Sequence, residues 1–137
     1  MRCSSDQQVE VGKLGRLQLR PGFYVYVGSA FGPGGLKARI AHHMKITEKP
    51  HWHIDYLGSI LHLNEAWYTY AAERNEHQWA DTFRSLRGAT IPINGFGASD
   101  CNCISHLFAF TNLPSISSFR RRLQTPSRVH KSVFPKY

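Results

Sequence analysis

Polar and apolar residues alternate most clearly from Phe23 to Ser29, where Tyr24 and Tyr26 fall on one side and Val25 and Val27 on the other. That period of two predicts a strand. Upstream, the apolar-rich stretch Val9 to Leu19 is interrupted at Gly12 and Gly15, and Arg20-Pro21-Gly22 signals a turn. The two segments are expected to pair as a hairpin. After Gly32-Pro33-Gly34-Gly35 the period changes: Leu36, Ile40 and Met44 recur at four-residue intervals, which predicts a helix over Leu36 to Lys45. Lys49-Pro50 breaks the chain, His53 to Ile60 reads as a short helix, and Glu65 to Ala71 as a strand. Glu73 to Leu86 is expected to be helical, with Trp79, Ala80, Phe83 and Leu86 on one face and Gly88 at its end. Ile91 to Asn102 reads as a loop and Leu107 to Phe110 as a further strand. From Pro114 onward the pattern fades, and the end of the chain is expected to be loosely attached. The order implies an α+β fold: a small, mainly antiparallel three-stranded sheet flanked by helices.

With 137 residues, 42% of them hydrophobic, the chain suits one domain with a single core. A folded domain over residues 9–113 and a basic tail over 114–137 are expected. No apolar run approaches the ~18 residues of a membrane span, and Met1 to Gln8 lack the apolar stretch of a signal peptide. The expected setting is therefore cytoplasmic, with no membrane partner. Cys3, Cys101 and Cys103 are odd in number and poorly spaced for a disulfide framework. The net charge of +8 is uneven: no acidic residue follows Asp100, whereas Arg120, Arg121, Arg122, Arg128, Lys131 and Lys136 do. A basic tail fits phosphate backbones, because each cation displaces a condensed counterion; a solvated tail without a partner fits equally well.

Three stretches carry candidate chemistry. The first runs from Tyr24-Val25-Tyr26-Val27-Gly28-Ser29-Ala30 through the glycine turn to Lys37, Arg39 and His43. A glycine-rich turn into a helix start suits an anion. Arg39 and His43 lie one turn apart, a phosphate clamp beside a group that exchanges a proton near neutral pH. The second is His51-Trp52-His53-Ile54-Asp55, whose His51, His53 and Asp55 admit a metal-binding or a packing role. The third is Ser99-Asp100-Cys101-Asn102-Cys103 with His106. Its cysteines and histidine supply three zinc ligands or pack as small apolar groups, and Ser99 and Asp100 are expected to brace the site. Glu76 precedes Trp79, Ala80 and Phe83 by three, four and seven residues. A carboxylate at the rim of an apolar stripe looks into a cleft or reaches water; Glu73, one turn away, is its rival.

These residues resemble the GIY-YIG nuclease family. Tyr26-Val27-Gly28 stands where that family has its YIG tripeptide, and Leu36, Arg39 and His43 match the leucine, arginine and histidine that follow. Gly22 to Ala30, His51 to Leu57, and Gly95 to Cys101 with Cys103 and Ser105 to Phe108 together resemble one branch of that superfamily, whose members sometimes occur fused to DNA-repair glycosylases. The resemblance covers roughly residues 9–111. It implies a DNA endonuclease using one divalent metal, Mg²⁺ or Mn²⁺, with a place in DNA repair or processing. Carried over by position, Tyr26 would lie at the scissile phosphate, Arg39 would neutralise its charge, and Glu76 would hold the metal. Tyr24 or His43 would join Tyr26 in handling the proton. Gly28 would be structural and Lys37 would contact nucleic acid; outside the resemblance, Arg120, Arg121 and Arg122 are expected to do the same because they belong to the basic tail. The family's first tyrosine is expected near Gly12-Lys13-Leu14-Gly15, which contains none. A catalytically silent nucleic-acid-binding module is the alternative function.

Overall fold

The computed structural model describes residues 1–45, 48–70, 75–99, 101–123 and 128–134. Among these residues there are seven strands, β1 (Arg2–Cys3), β2 (Gln7–Val11), β3 (Gly15–Leu19), β4 (Gly22–Tyr26), β5 (Glu65–Tyr68), β6 (Leu107–Phe110) and β7 (His130–Val133), and three α-helices, α1 (Gly35–His43), α2 (Glu76–Ser85) and α3 (Ile116–Arg122). The expected α+β class holds. The three-stranded antiparallel sheet has the order β1-β4-β6, and two hairpin-like pairs, β2-β3 and β5-β7, flank it.

Strand parity in β4 divides the interior. Tyr24 and Tyr26 face a core built on Leu17, Leu19, Leu57 and Phe96. Phe23, Val25 and Val27 face a second core with Phe83, Phe108 and Phe119. β6 obeys the same alternation, with Leu107 and Ala109 in the first core and Phe108 and Phe110 in the second. Being buried on both sides, it reads as a continuous apolar run.

The expected hairpin between Val9–Leu19 and Phe23–Ser29 does not form. Val9 to Leu19 folds on itself: the 3₁₀ turn Gly12–Leu14 joins β2 to β3, with Val11 opposite Gly15. β4 takes β1 and β6 as neighbours instead, so residues 1–8, outside the expected domain, belong to the fold. The strands beside Tyr26's strand are thus Arg2–Cys3 and Leu107–Phe110, not segment 12–15. In α1, Leu36 and Ile40 are half-buried, but Met44 caps the helix and is 53% exposed, so the apolar stripe stops one turn early. α2 opens at Glu76, after Asn75; the rival Glu73 lies outside the described residues.

The loosely attached tail is the larger correction. Phe119 is wholly buried in the second core, stacked on Phe83 with ring centroids 4.4 Å apart and edge-on to Trp79 at 5.0 Å. Leu123 and Val129 join it, and β7 pairs with β5 from Val133 opposite Glu65 to His130 opposite Tyr68. Ser115 caps α3 by accepting the Ser118 N–H at 3.3 Å. Among the described residues, no helix is long and apolar enough to cross a membrane. Phe119→Ala is expected to cost about 3–5 kcal/mol, the usual range for emptying a buried phenylalanine site. Urea unfolding will read it; a change within experimental error would mean that segment 114–134 does not contribute to the core.

Candidate active site

The site grows from the point where β4 leaves the sheet. Val27 continues the pairing beyond the strand, its N–H donating to the His106 carbonyl at 2.9 Å. The Tyr26 ring then lies between two glycines. A Cβ on Gly28 would stand 3.0 Å from one edge of the ring, and a Cβ on Gly97 would stand 3.1 Å from the other. Gly97 also has φ +67°, which a side chain would strain. Its N–H donates to His53 Nδ1 at 2.8 Å, which ties the loop before β6 to the 3₁₀ helix His53–Leu57. Phe96 meets both Tyr26 and His53.

α1 brings Arg39 and His43 to this ring. The Arg39 guanidinium lies over the Trp52 indole, 3.9 Å from its centroid, a cation–π contact that holds its plane beside Tyr26, with whose side chain it shares a hydrogen bond. Arg39 Nε is buried without a hydrogen-bond partner among the described residues. The His43 ring meets Tyr26 edge-on at 5.8 Å. Burial, then the Tyr26 neighbour Glu76, raises the phenol's pKa, and Arg39 opposes that rise. Burial, followed by Arg39 and His42, lowers His43 to about 4, so its imidazole is neutral at pH 7.

Behind α1, Asp55 supports the arrangement. Its buried carboxylate accepts His42 Nε2–H at 2.7 Å and the backbone N–H groups of His51 and Trp52, each at 2.9 Å. Burial alone would raise its pKa; the Trp52 and His51 N–H groups and His42 outweigh it and hold the carboxyl below the ordinary range. His51 and Asp55 therefore brace the Trp52 turn, by ring packing and by hydrogen bonds, while His53 ties its helix to Gly97 and Phe96.

Glu76 is the first residue of α2, where the helix dipole favours a carboxylate. Its oxygens lie 3.9 Å from His77 Nε2 and from His106 Nδ1, too far for hydrogen bonds, so among the described residues its lone pairs remain available. It borders a cavity of about 260 Å³ shared with Gly28, Ser29 and Leu36. The adjoining cavity of about 190 Å³ is lined by Tyr24, Tyr26, Arg39 and His43. Gly28 borders both.

Other expected residues stand apart from this group. Tyr24 shares Tyr26's face, but its hydroxyl accepts the Arg20 N–H and donates to the Arg20 carbonyl, both at 2.8 Å, and so secures the turn before β4. Ser99 is exposed and makes no side-chain hydrogen bond among the described residues, and Asp100 lies outside them; Gly97 and His53 brace the loop. Lys37 is exposed on α1. Arg120 and Arg122 donate to the carbonyls of Val129 (2.6 Å) and Ser85 (3.1 Å), and Arg121 to the Ser118 hydroxyl at 3.2 Å. These arginines hold α3 in place, although all three remain exposed.

The loop carrying Cys101 and Cys103 also reaches α2. His77, Cys101, Cys103 and His106 bring their ligand atoms within 4.8 Å of one another, so this cluster can hold a metal ion. Sequence spacing pointed to Cys101, Cys103 and His106 but not to His77, which only the packing of α2 against the loop supplies. The Trp52 stack on Arg39 was equally invisible: no rule of local spacing joins residues in different elements.

The family described as Domain of unknown function DUF123 matches residues 1–126. The chain belongs to this family. The match runs through α3, in keeping with the burial of Phe119 in this DUF123 chain. No curated protein and no solved structure matches it.

The low pKa of His43 makes a stability test. Between about 4 and its ordinary value of 6.5, the unfolded chain holds a proton on His43 that the folded chain lacks. Stability therefore falls as the pH drops through that window. Asp55 acts in the same direction but lower, as the pH falls through its depressed pKa. Replacing His43 with Gln is expected to flatten the upper window alone, read from urea midpoints across it. An unaltered slope would show that His43 is not the group titrating there.

Proposed function

We propose that this DUF123 chain is a metal-dependent endonuclease that hydrolyses DNA phosphodiester bonds at the cleft around Tyr26, Arg39, His43 and Glu76. The observation that carries the reading is the state of Arg39: stacked on Trp52, with a buried and unpartnered Nε, and in no ion pair among the described residues. A planar guanidinium kept in this way suits bidentate contact with a phosphate. Its motif setting, Tyr26-Val27-Gly28 followed by Leu36, Arg39 and His43, supports the same substrate class through the GIY-YIG resemblance.

Glu76 fits a hard divalent cation, Mg²⁺ or Mn²⁺. It is a single carboxylate without a hydrogen bond among the described residues, beside a cavity with room for waters to complete an oxygen shell. Such a cation supplies charge neutralisation and a polarised water when bound. The chain's own residues do the rest. Arg39 binds the phosphate and stabilises charge building on its non-bridging oxygens. Tyr26, a neutral phenol fixed between Gly28 and Gly97, orients the phosphate or the attacking water. His43, neutral at pH 7, accepts a proton. Tyr24 is a poorer candidate for proton transfer because Arg20 occupies its hydroxyl. Basic residues outside the cleft, Lys37 among them, would add salt-dependent affinity.

A silent nucleic-acid-binding module is the second reading. It is favoured by the two strands beside Tyr26's strand, Arg2–Cys3 and Leu107–Phe110, neither of which offers a tyrosine to complete the expected pair.

The test is cleavage of supercoiled and branched DNA with Mg²⁺, Mn²⁺ or EDTA. Cleavage is expected with metal only. Arg39→Ala should slow it about 10²–10³-fold, the usual loss for one transition-state donor. Glu76→Ala should abolish it while leaving DNA binding largely intact, with Glu10→Ala, in the remote β2-β3 hairpin, as the control. Full activity in Glu76→Ala would overturn the metal assignment. Metal-independent binding, with no cleavage of any DNA or RNA form, would establish the silent module instead.

A further inference from the structure

We propose that His77, Cys101, Cys103 and His106 form a tetrahedral zinc site that clips the loop before β6 to the start of α2. The site is distinct from the hard-cation position at Glu76 and stands whether or not the cleft cleaves DNA.

Four observations carry it. First, the four ligand atoms already lie within 4.8 Å of one another. Zn–S and Zn–N bonds of about 2.3 and 2.0 Å set ligand atoms roughly 3.3–3.8 Å apart in a tetrahedron, so only a small inward movement is needed. One edge is already of that size, with Cys101 Sγ 3.4 Å from His106 Nε2. Second, His106 is oriented as a ligand. It is 1% exposed, and its Nδ1 lies 3.1 Å from the Val27 carbonyl, to which it donates. That backbone bond fixes the tautomer and leaves the Nε2 lone pair directed at the cluster, the usual support behind a metal-binding histidine. Third, the loop is held independently on both sides of the cysteines. Gly95 N–H donates to the Ile104 carbonyl at 2.7 Å, and His106 N–H donates to the Phe96 carbonyl at 2.8 Å. Fourth, the donor set is chemically selective. Two thiolates and two imidazoles suit Zn²⁺, whereas Mg²⁺ and Ca²⁺ take oxygen ligands.

On binding, the two cysteine thiols give their protons to solvent, and each sulfur donates a lone pair to Zn²⁺; no electron is transferred. The clip would join the second residue of α2 to the segment entering β6. Those elements carry Glu76 and His106, whose side chains approach to 3.9 Å.

The experiment uses the full chain, reduced and freed of metal with a chelator, then titrated with Zn²⁺ against a competing chromophoric chelator, and separately with Co²⁺ as a spectroscopic probe. One equivalent of each is expected. Co²⁺ should give the intense visible bands of a tetrahedral site and the near-ultraviolet sulfur-to-cobalt charge-transfer band. Cys101→Ser and Cys103→Ser should remove most of the sulfur band. His77→Ala alters a side chain that is 61% exposed, so the fold should tolerate it. Its zinc affinity should fall by at least about tenfold. Cys3→Ser, in the other core, should change neither stoichiometry nor spectrum. Zn²⁺ should also raise the thermal midpoint of the parent and not that of His77→Ala at the same metal concentration. Substoichiometric zinc, a cobalt spectrum without the sulfur band, or a His77→Ala protein that binds zinc as tightly as the parent would each overturn the site.

Discussion

The pairing of β4 with β6 is the constraint on which the rest of this structure depends. Its register sets Phe23 against Phe110 and Tyr26 against Leu107. The contact then runs on through Val27 and His106, by one backbone hydrogen bond and one from the imidazole. A slip of a single residue would exchange the two faces of the strand. Tyr24 and Tyr26 would pass from the Leu17–Leu57 core into the Phe83–Phe119 core, and Arg39 would lose the ring beside it. The same slip would carry His106 away from Val27 and from Cys101. One ladder thus positions both the cleft and the cysteine loop.

Within the cleft, the charge of Arg39 is preserved by the way its neighbours are occupied. Asp55 is the nearby carboxylate most able to neutralise it, but His42 and the backbone of His51 and Trp52 already surround that group with donors. His43 and Tyr26 are both held uncharged by burial before any other influence. Trp52 offers an aromatic face, which steadies a cation without cancelling it. The Nε left without a partner carries a desolvation cost of about 1–3 kcal/mol.

Local order was legible in the sequence wherever a period was present. The alternation through Tyr24, Val25, Tyr26 and Val27 predicted both the strand and its faces, and Leu107–Phe110 was delimited correctly as β6. α2 followed from Trp79, Ala80 and Phe83. Pairing was not legible. Two glycines with positive φ, Gly12 and Gly15, turn residues 9–19 back on themselves, and from sequence alone they read equally well as breaks in one long strand. α3 escaped notice because it is only seven residues long and anchors itself chiefly through Phe119, with Leu123 just beyond, while Arg120, Arg121 and Arg122 mask any stripe. β7 reads His-Lys-Ser-Val, half exposed, with no apolar alternation to reveal it. Charge alone suggested a tail there; the guanidinium bonds to Val129 and Ser85 show that a basic run can also be structural.

The candidate site shows the same division between what spacing encodes and what packing encodes. Arg39 and His43 are neighbours because a helix makes them so, and their pairing is written in the chain. Glu76 joins them only because α2 begins where β4 ends, and His77 is carried to Cys101 and Cys103 by the same helix start. Adjacent residues of one helical turn therefore border two different groups: Glu76 the Gly28 cavity, and His77 the sulfurs of Cys101 and Cys103. The two groups lie close together, the Glu76 oxygens 3.9 Å from His77 Nε2 and from His106 Nδ1. Movement at the N-terminus of α2 would displace both together. A clip at His77 would hold the Glu76 backbone still while leaving its side chain free, and a carboxylate without a hydrogen bond among the described residues would gain that support from elsewhere.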